Sequence, residues 1–286
     1  MKEFNELYDK IKNGSEVDEK DLKKQFLKLY NEKKDIDDSI RYAAVLQKNI
    51  LGKQRHFDKI FPQSFIFFRP QHHVSGDFYW TTKKDNYTYI ACGDCTGHGV
   101  PGSTLAMLAH SLLTYSVLDT KEIVSVSDVL KMLDERIIEA FRESHDSDSD
   151  NDWIDLAVCR YDNDTGELVF GGANQKIFLV RNKKLTKIKG APYPIGGWQI
   201  EDVRTYPTRS FKMKKGDVLY IGSDGFQDQF GGERDKKYTS RRLINLLKGI
   251  HHLPMTEQVH IIESEFDGWK RGYDQIDDVT VLGIRF

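Results

Sequence analysis

From residue 64 onward, the sequence is dominated by short runs of alternating apolar and polar residues, which predict β-strands. The runs cover residues 64–68, 77–82, 87–93, 153–161, 168–171, 176–181, 218–222 and 279–286. Turn-forming residues at 162–166 and 182–184 predict two hairpins, and hairpins require antiparallel strands. Helical patterns cover about 101–118, 126–143, 239–249 and 256–270. We therefore expect an α/β (α+β) fold in which an antiparallel β-sandwich is flanked by helices, and not a parallel doubly wound sheet.

The first part of the chain has a different pattern, which predicts a long N-terminal helical segment. Residues 2–12 predict a short helix, and Asp18 is a candidate N-cap for a second helix that ends at Gly52. Selected positions of the second helix repeat in steps of four and three residues, as the a and d positions of a heptad do. These positions are Leu22, Phe26, Leu29, Lys33, Ile36, Ile40, Ala43, Gln47 and Ile50. At 1.5 Å per residue, the helix 19–51 would be roughly 48 Å long.

A helix of this length with a heptad seam favours a homodimer that forms through a parallel coiled coil. The alternative is that the same face packs on the domain that follows. Lys33 and Gln47 are polar residues within the seam, and they keep this alternative open. We expect a domain boundary between an N-terminal helical segment at 1–56 and a second domain at 57–286.

Composition argues against several classes of function. The 42 basic and 44 acidic residues nearly cancel, so we expect no nucleic-acid partner. The longest apolar stretch, residues 105–118, contains His110 and several hydroxyl side chains, which argues against membrane insertion. The N-terminus lacks the apolar core of a signal peptide, so a cytoplasmic location is expected. The three cysteines lie in apolar runs and are expected to be buried thiols.

Acidic residues set among glycines occur at the ends of several predicted strands. The motifs are Ser75-Gly76-Asp77, Gly93-Asp94-Cys95-Thr96-Gly97-His98-Gly99, Ser223-Asp224-Gly225 and Asp277-Asp278-Val279-Thr280. If their carboxylates met in one cleft, they could not all stay ionised without a counter-charge. Two hard divalent cations such as Mg²⁺ or Mn²⁺ would remove that conflict and could activate a water for attack on phosphorus. Each motif alone is weak evidence, because an aspartate beside a glycine is most often a turn former.

Two further residues have both a functional and a structural interpretation. His98 could act as a general acid that protonates a departing oxygen, or it could be a turn residue between glycines. Arg69 could bind a phosphate group through paired hydrogen bonds, or it could form surface ion pairs.

Taken together, these motifs resemble those of the metal-dependent Ser/Thr protein phosphatase (PPM) superfamily, in its bacterial branch named after the stage II sporulation protein E. The segments that carry the resemblance are RPQHHVSGDFYW (69–80), GDCTGHGVPGS (93–103), DLAV (155–158), GELVFGGANQKIFLV (166–180), PIGG (194–197), GDVLYIGSDGFQDQFGG (216–232) and QIDDVTVLGIRF (275–286). The similarity extends from residue 57 to the C-terminus.

The resemblance implies a two-metal site that takes Mn²⁺ or Mg²⁺. In it Asp94 would bridge both cations and the Cys95 carbonyl would bind one of them. Asp224 and Asp277 would complete the other, and Asp77 would bind a metal or hold its water. Asp278 remains an alternative to Asp277, since the strand pleat sends adjacent side chains to opposite faces. Asp155 is a weaker candidate, because it could equally orient a loop.

The implied activity is hydrolysis of phosphoserine or phosphothreonine on a protein, with an anti-sigma-factor-antagonist-type protein as the substrate in a partner-switching pathway. The N-terminal helices would then form a regulatory segment whose dimer geometry sets the activity. Two alternatives stay open. One is a catalytically silent, dimeric signalling adaptor that retains the fold, and the other is a hydrolase of small phosphate esters.

Overall fold

The structure is a computed structural model that describes residues 12–13, 18–141, 152–197, 201 and 203–286. Most of the helix expected at 2–12 and of the polar run at 144–152 therefore lies outside the described residues. The chain divides into two compact units, residues 1–46 and residues 47–286. Among the helices that the structure describes, none combines the length and apolar character needed to cross a membrane.

The long N-terminal helix, α1, spans Glu19–Leu51, as the sequence predicts. It begins after Asp18, whose side chain accepts a hydrogen bond from the backbone N–H of Lys20 at 3.1 Å. It ends before Gly52, which has a φ of +85°. Apolar seam residues in the first unit are exposed, among them Phe26 at 66% and Ile36 at 61%. Pairing of this seam with a second copy stays a prediction.

The second unit begins earlier than the predicted boundary at residue 57. Gln47 and Leu51 are the buried residues of α1, and Phe57 on the short helix α2 (Gln54–Asp58) is also buried. Leu51 and Phe57 belong to the main hydrophobic core of this unit. The end of α1 is therefore part of the second unit through Gln47 and Leu51, while Ile50 of the seam is exposed.

The second unit contains two antiparallel sheets. The first sheet has the strand order β1-β13-β10-β6-β7, and the second has the order β2-β3-β4-β5-β9, with β8 paired to β4. The strands of the first sheet are β1 (Ser64–Arg69), β6 (Lys176–Arg181), β7 (Lys184–Lys189), β10 (Val218–Gly222) and β13 (Val279–Arg285). Those of the second are β2 (Asp77–Lys84), β3 (Tyr87–Cys95), β4 (Trp153–Asp162), β5 (Glu167–Ala173), β8 (Ile195–Gly196) and β9 (Thr208–Lys212). A separate hairpin pairs β11 (Phe230–Gly231) with β12 (Lys236–Lys237).

Helices cover the outer faces of both sheets. Helices α3 (Gly99–Leu118) and α4 (Val126–Phe141) pack on the second sheet, while α6 (Ser240–Ile250) and α7 (Met255–Lys270) pack on the first. The short helix α5 (Gly225–Asp228) follows β10. Strand β10 is buried on both faces: Leu219 and Ile221 belong to the core between the sheets, and Val218 and Tyr220 to the core under α6 and α7. The predicted β-sandwich flanked by helices is confirmed.

The predicted strands and the helices of the second unit are found within a few residues of their expected ends. Both hairpins are also present, between β4 and β5 and between β6 and β7. The sequence did not predict β8, β9, β11 and β12, and it predicted β7 only through the hairpin at 182–184. Strand β9 is an exposed edge of its sheet, and β8, β11 and β12 have two residues each, so none of these four is long or buried enough to produce an alternating pattern.

Candidate active site

Three aspartates form a row across one end of the second sheet. Asp77 on β2 pairs directly with Asp94 on β3, and Asp94 pairs directly with Asp155 on β4. Residues that lie directly opposite each other on neighbouring strands project from the same face of a sheet. Strand register therefore places the three carboxylates side by side. The sequence made Asp155 a weaker candidate, because it could equally orient a loop, and its place in this row follows only from pairing between distant segments.

The carboxylate of Asp77 connects the two sheets. Its Oδ2 atom accepts a hydrogen bond from the Ser223 hydroxyl at 2.6 Å and another from the Thr280 hydroxyl at 2.7 Å. Ser223 follows β10 and Thr280 lies on β13, so both donors belong to the first sheet. Asp77 is 1% exposed. The sequence analysis missed both hydroxyl donors, although each stands next to or within an acidic motif.

Asp224 and Asp277 come together at the corresponding end of the first sheet. Asp224 follows β10 and Asp277 precedes β13, and these two strands are antiparallel neighbours. A side-chain carbon on Gly225 would lie 2.0 Å from the carbonyl oxygen of Asp278 and 3.3 Å from Cβ of Asp277. The glycine of the Ser223-Asp224-Gly225 motif is therefore required by this close approach.

The structure separates the roles of the adjacent residues Asp277 and Asp278. Asp278 is 3% exposed, and its two carboxylate oxygens accept hydrogen bonds from the backbone N–H groups of Gln71 and Gly76, each at 2.7 Å. Asp277 is partly exposed and accepts one bond, from the backbone N–H of Asp278. Asp278 thus holds the loop before Asp77, whereas Asp277 faces the other carboxylates. This geometry favours Asp277 as the candidate metal ligand.

Burial and mutual repulsion both act on these carboxylates. Burial raises the pKa of Asp77 and of Asp94 well above the usual range for aspartate. The neighbouring carboxylates that raise the pKa of Asp94 further are those of Asp77, Asp224, Asp277 and Asp155. Burial, followed by the charge of Asp224, also raises the pKa of Asp155 and of Asp277 to about 6. The cluster therefore holds more negative charge than its surroundings compensate.

The cluster also has more acceptors than donors. Asp155 Oδ2 accepts a hydrogen bond from the Asn174 side chain at 2.8 Å, but its buried Oδ1 has no hydrogen-bond partner in the described part of the chain. An unpaired buried carboxylate oxygen is costly, and a cation or its bound water would satisfy it. No three His, Cys, Asp or Glu side chains among the described residues form a ready-made cage. Mg²⁺ keeps several waters and needs one or two carboxylates, so the residues fit a hydrated hard cation.

Cys95 ends β3 beside Asp94, and its thiol is buried. Burial raises the pKa of this thiol well above its usual value, as it also does for Cys92 and Cys159. All three cysteines are buried and free, as the sequence predicts. A neutral thiol is a poor nucleophile, so these side chains are unsuited to covalent catalysis. The predicted use of Cys95 concerns its carbonyl oxygen.

His98 is exposed and lies immediately before α3, four residues after Asp94. Its ring packs edge-on against that of His72, with 5.2 Å between the ring centroids. His98 makes no side-chain capping bond to the helix. No sequence pattern predicted the contact between His72 and His98.

Arg69, the expected phosphate ligand, contacts other groups. Its guanidinium forms ion pairs with Glu263, at 3.0 Å, and with Asp267, both on α7. It also lies over the rings of Phe67 and Phe266, at 5.4 and 5.6 Å from the ring centroids. Of the two interpretations that the sequence allows for Arg69, the geometry thus favours surface ion pairs over phosphate binding.

Gln47 lies on the helix face for which the sequence left two alternatives open, a coiled coil or packing on the domain that follows. Its side chain is 5% exposed and hydrogen bonds to the backbone of Ser75, two residues before Asp77. At this position the structure therefore favours packing on the domain that follows, as a polar residue within an apolar seam indicates.

Solved structures with similar folds include domains described as PP2C domains. The SiaA-PP2C domain of Pseudomonas aeruginosa is 27% identical, with a TM-score of 0.79 over 89% of this chain and 98% of that chain. The PP2C phosphatase domain of SpoIIE from Bacillus subtilis, with a fragment of its regulatory domain, is 19% identical, with a TM-score of 0.62 over 78% and 63%. The RsbU and RsbW domains of a Mycobacterium tuberculosis protein are 17% identical, with a TM-score of 0.60 over 79% and 60%. The chain therefore has a PP2C-type protein phosphatase fold.

The family model described as "Stage II sporulation protein E (SpoIIE)" matches residues 84–286, which is more than half of the chain. The protein belongs to this family, within the PPM superfamily. A comparison with curated protein sequences gives no match.

Proposed function

We propose that the protein is an Mg²⁺- or Mn²⁺-dependent phosphatase that hydrolyses phosphoserine or phosphothreonine on a protein substrate. One observation carries the proposal: the row of Asp77, Asp94 and Asp155 at the end of one sheet faces Asp224 and Asp277 at the end of the other. This cluster of carboxylates, with an unpaired buried oxygen, is suited to divalent cations.

The aspartates of the candidate site differ in exposure to solvent, and we assign their roles accordingly. Asp94, Asp224 and Asp277 are partly exposed and would hold two cations, together with the carbonyl oxygen of Cys95. Asp77 is buried and bound by two hydroxyl groups, so it would fix the position of Asp94 and offer its remaining oxygen to a cation or a water. When bound, such a pair of cations supplies positive charge and a nucleophile derived from water.

The exposed position of His98 suits a proton donor to the departing serine or threonine oxygen. His72 packs against this ring and would restrict its orientation. An alkoxide leaving group requires such a proton, whereas an aryl oxide leaving group does not. The role of His98 should therefore depend on the substrate.

We further propose a phosphorylated protein of the anti-sigma-factor-antagonist type as the substrate and a homodimer as the active form. The substrate rests on family resemblance alone. The dimer rests on the apolar seam of α1, where exposed Leu22, Phe26, Leu29 and Ile36 recur at heptad spacing. The nearly neutral net charge of −2 supports a protein partner over nucleic acid.

The test is phosphate release from a phosphoserine peptide with Mn²⁺, with Mg²⁺ and with a chelator, for the wild type and Asp94→Asn. We expect turnover that requires the metal and falls at least about 100-fold in the variant, because a ligand shared by two cations is lost. Asp85→Asn, at an exposed turn with a φ of +51°, is the matched control and should retain activity. Metal binding without any turnover would instead support the catalytically silent adaptor.

A further inference from the structure

A groove of about 700 Å³ lies between the β11–β12 hairpin, the start of α6 and the last turn of α7. Trp269 forms its floor, and the backbone N–H of Gly232 donates a hydrogen bond to the Trp269 carbonyl oxygen at 2.8 Å. A side-chain carbon on Gly231 would lie 2.0 Å from the same oxygen, so the hairpin approaches the helix end this closely because Gly231 lacks one. The groove is therefore fixed by specific contacts.

The lining of the groove is more basic than the protein as a whole. Its charged residues are Arg234, Lys236, Arg242 and Arg271 against Glu233 and Glu265, a local excess of two positive charges. The whole chain carries −2. An excess of this sign attracts anionic partners and repels cationic ones.

One of the four cations is paired, because a guanidinium nitrogen of Arg271 lies 3.9 Å from a carboxylate oxygen of Glu233. Arg242 lies over the ring of Trp269, at 4.5 Å from the centroid, and not against a carboxylate. In the part of the chain that the structure describes, Arg234 and Lys236 form no ion pair. Of the two acidic residues in the groove lining, Glu265 is bound by Tyr238, whose hydroxyl donates a hydrogen bond to the Glu265 carboxylate at 3.0 Å. The exposed guanidinium and ammonium groups remain available to an anionic ligand.

Gln229 connects the groove to the candidate active site. It is fully buried, and its carbonyl oxygen accepts hydrogen bonds from the indole N–H of Trp269 and the backbone N–H of Tyr238, both at 3.0 Å. Its side chain donates to the carbonyl of Asp274 at 3.0 Å and accepts from the N–H of Ile276 at 3.2 Å. Gln229 follows Asp224 by five residues, and Ile276 immediately precedes Asp277. Gln229 thus contacts the groove through its backbone carbonyl and the segment before Asp277 through its side chain.

We propose that this groove binds an acidic segment of the protein substrate, next to the phosphorylated residue in the substrate sequence. The inference rests on the proposed phosphatase function, and it adds a preference for acidic substrate sequences. The carboxylates that line the metal site repel the acidic residues of a peptide. Only the phosphate of the peptide would be attracted there, by the bound metal. A separate basic groove supplies attraction for the rest of such a peptide, and arginine forks bind carboxylates through paired hydrogen bonds.

The test uses three phosphoserine peptides of about 13 residues, with acidic residues before the phosphoserine, acidic residues after it, or neutral amides at the same positions. The full chain with Mn²⁺ is expected to show a kcat/KM about tenfold higher for one acidic peptide than for the neutral one. For each enzyme, kcat/KM with that peptide is divided by kcat/KM with an aryl phosphate. This ratio should be about tenfold lower in Arg234→Glu/Lys236→Glu than in the wild type. Lys183→Glu/Lys184→Glu, at the exposed turn between β6 and β7, makes the same charge change and should keep the wild-type ratio.

A second measurement does not require catalysis. Fluorescence anisotropy measures binding of labelled, unphosphorylated versions of the peptides in the presence of a chelator. The wild type is expected to bind the acidic peptide about tenfold more tightly than the neutral one, and Arg234→Glu/Lys236→Glu is expected to bind both equally. Equal binding of acidic and neutral peptides by the wild type would overturn the inference. Tighter binding of a single-stranded oligonucleotide of equal charge would also overturn it, in favour of a nucleic-acid site. If the wild type prefers the acidic peptide but releases no phosphate, the groove is supported and the proposed phosphatase function is contradicted.

Discussion

The side-chain amide of Gln47 pairs with the backbone of Ser75 through two hydrogen bonds. Its Nε2 donates to the Ser75 carbonyl oxygen at 2.7 Å, and its Oε1 accepts from the Ser75 N–H at 3.0 Å. Ser75 is fully buried, and its hydroxyl accepts a hydrogen bond from the N–H of Asp77 at 3.0 Å. The last turn of α1 therefore holds the backbone that leads into the row of aspartates.

Replacement of Gln47 by alanine should destabilise the protein by about 2 kcal/mol, because it leaves a buried donor and a buried acceptor of Ser75 without partners. Urea denaturation of the full chain measures this. Gln63→Ala, on an exposed side chain, is the control and should change the free energy of unfolding by less than about 0.5 kcal/mol. Equal stability of the two variants would show that the Ser75 groups find other partners.

Asparagine substitutions at 277 and 278 should have opposite effects on stability in a chelator. Asp278→Asn should destabilise the protein by about 2 kcal/mol. The amide nitrogen of the asparagine cannot accept the hydrogen bond that a carboxylate oxygen of Asp278 accepts from the backbone N–H of Gln71 or Gly76. Asp277→Asn should be neutral or stabilising, because it removes one of several charges that repel each other. Calorimetric titration with Mn²⁺ should show weaker binding in Asp277→Asn. Destabilisation by Asp277→Asn in the chelator would contradict this division of roles.

The metal-free protein should lose stability as the pH rises from about 4 to 6. The folded-state pKa of Asp277 is raised to about 6 from its usual 3.8, mainly by burial, so the folded state binds protons more tightly than the unfolded state does. The contribution of this group is therefore greatest below pH 4 and is lost as the pH passes 6. An asparagine side chain does not titrate, so the stability of Asp277→Asn relative to the wild type should be greater at pH 7 than at pH 5. A pH-independent difference, measured by urea denaturation in a chelator, would refute the shift.

Loss of the His98 ring should affect peptide substrates more than aryl phosphates. In His98→Ala we expect kcat for a phosphoserine peptide to fall at least about 100-fold, because the alkoxide departs without a proton donor. The rate with an aryl phosphate should change little, since that leaving group needs no proton. His73→Ala, on the same loop as His72, serves as the control. Unchanged peptide turnover by His98→Ala would leave His98 as a turn residue.

A charge in the exposed seam of α1 should dissociate the proposed dimer. Light scattering should give a monomer for Ile36→Asp and a dimer for both the wild type and Lys34→Asp, which changes an exposed residue outside the seam. If dimer geometry sets the activity, the Mn²⁺ activation curve of Ile36→Asp should also differ from that of the wild type. A monomeric wild type would remove the coiled coil, and identical curves would remove its regulatory role.

Local patterns were sufficient to predict most of the elements. The bounds of α1 and the main strands follow from periodicity, capping residues and turn residues, which act between neighbours in the sequence. The identities of Asp77, Asp94, Asp224 and Asp277 as candidates also came from the sequence, through their glycine-containing motifs and the family resemblance. The exposed edge strand β9 escaped prediction because a strand without a buried face carries no alternating pattern.

The tertiary structure decided which of these residues act together. Strand register placed Asp155 beside Asp94, and hydrogen bonds assigned Asp278 to the loop and left Asp277 facing the cluster. Asp77 and Thr280, which form one of the cross-sheet hydrogen bonds, are 203 residues apart. A periodic pattern records only which face of an element is buried, whereas the partner of each buried polar group depends on how distant strands align. The sequence therefore determined the candidates, and long-range pairing determined which of them lie together.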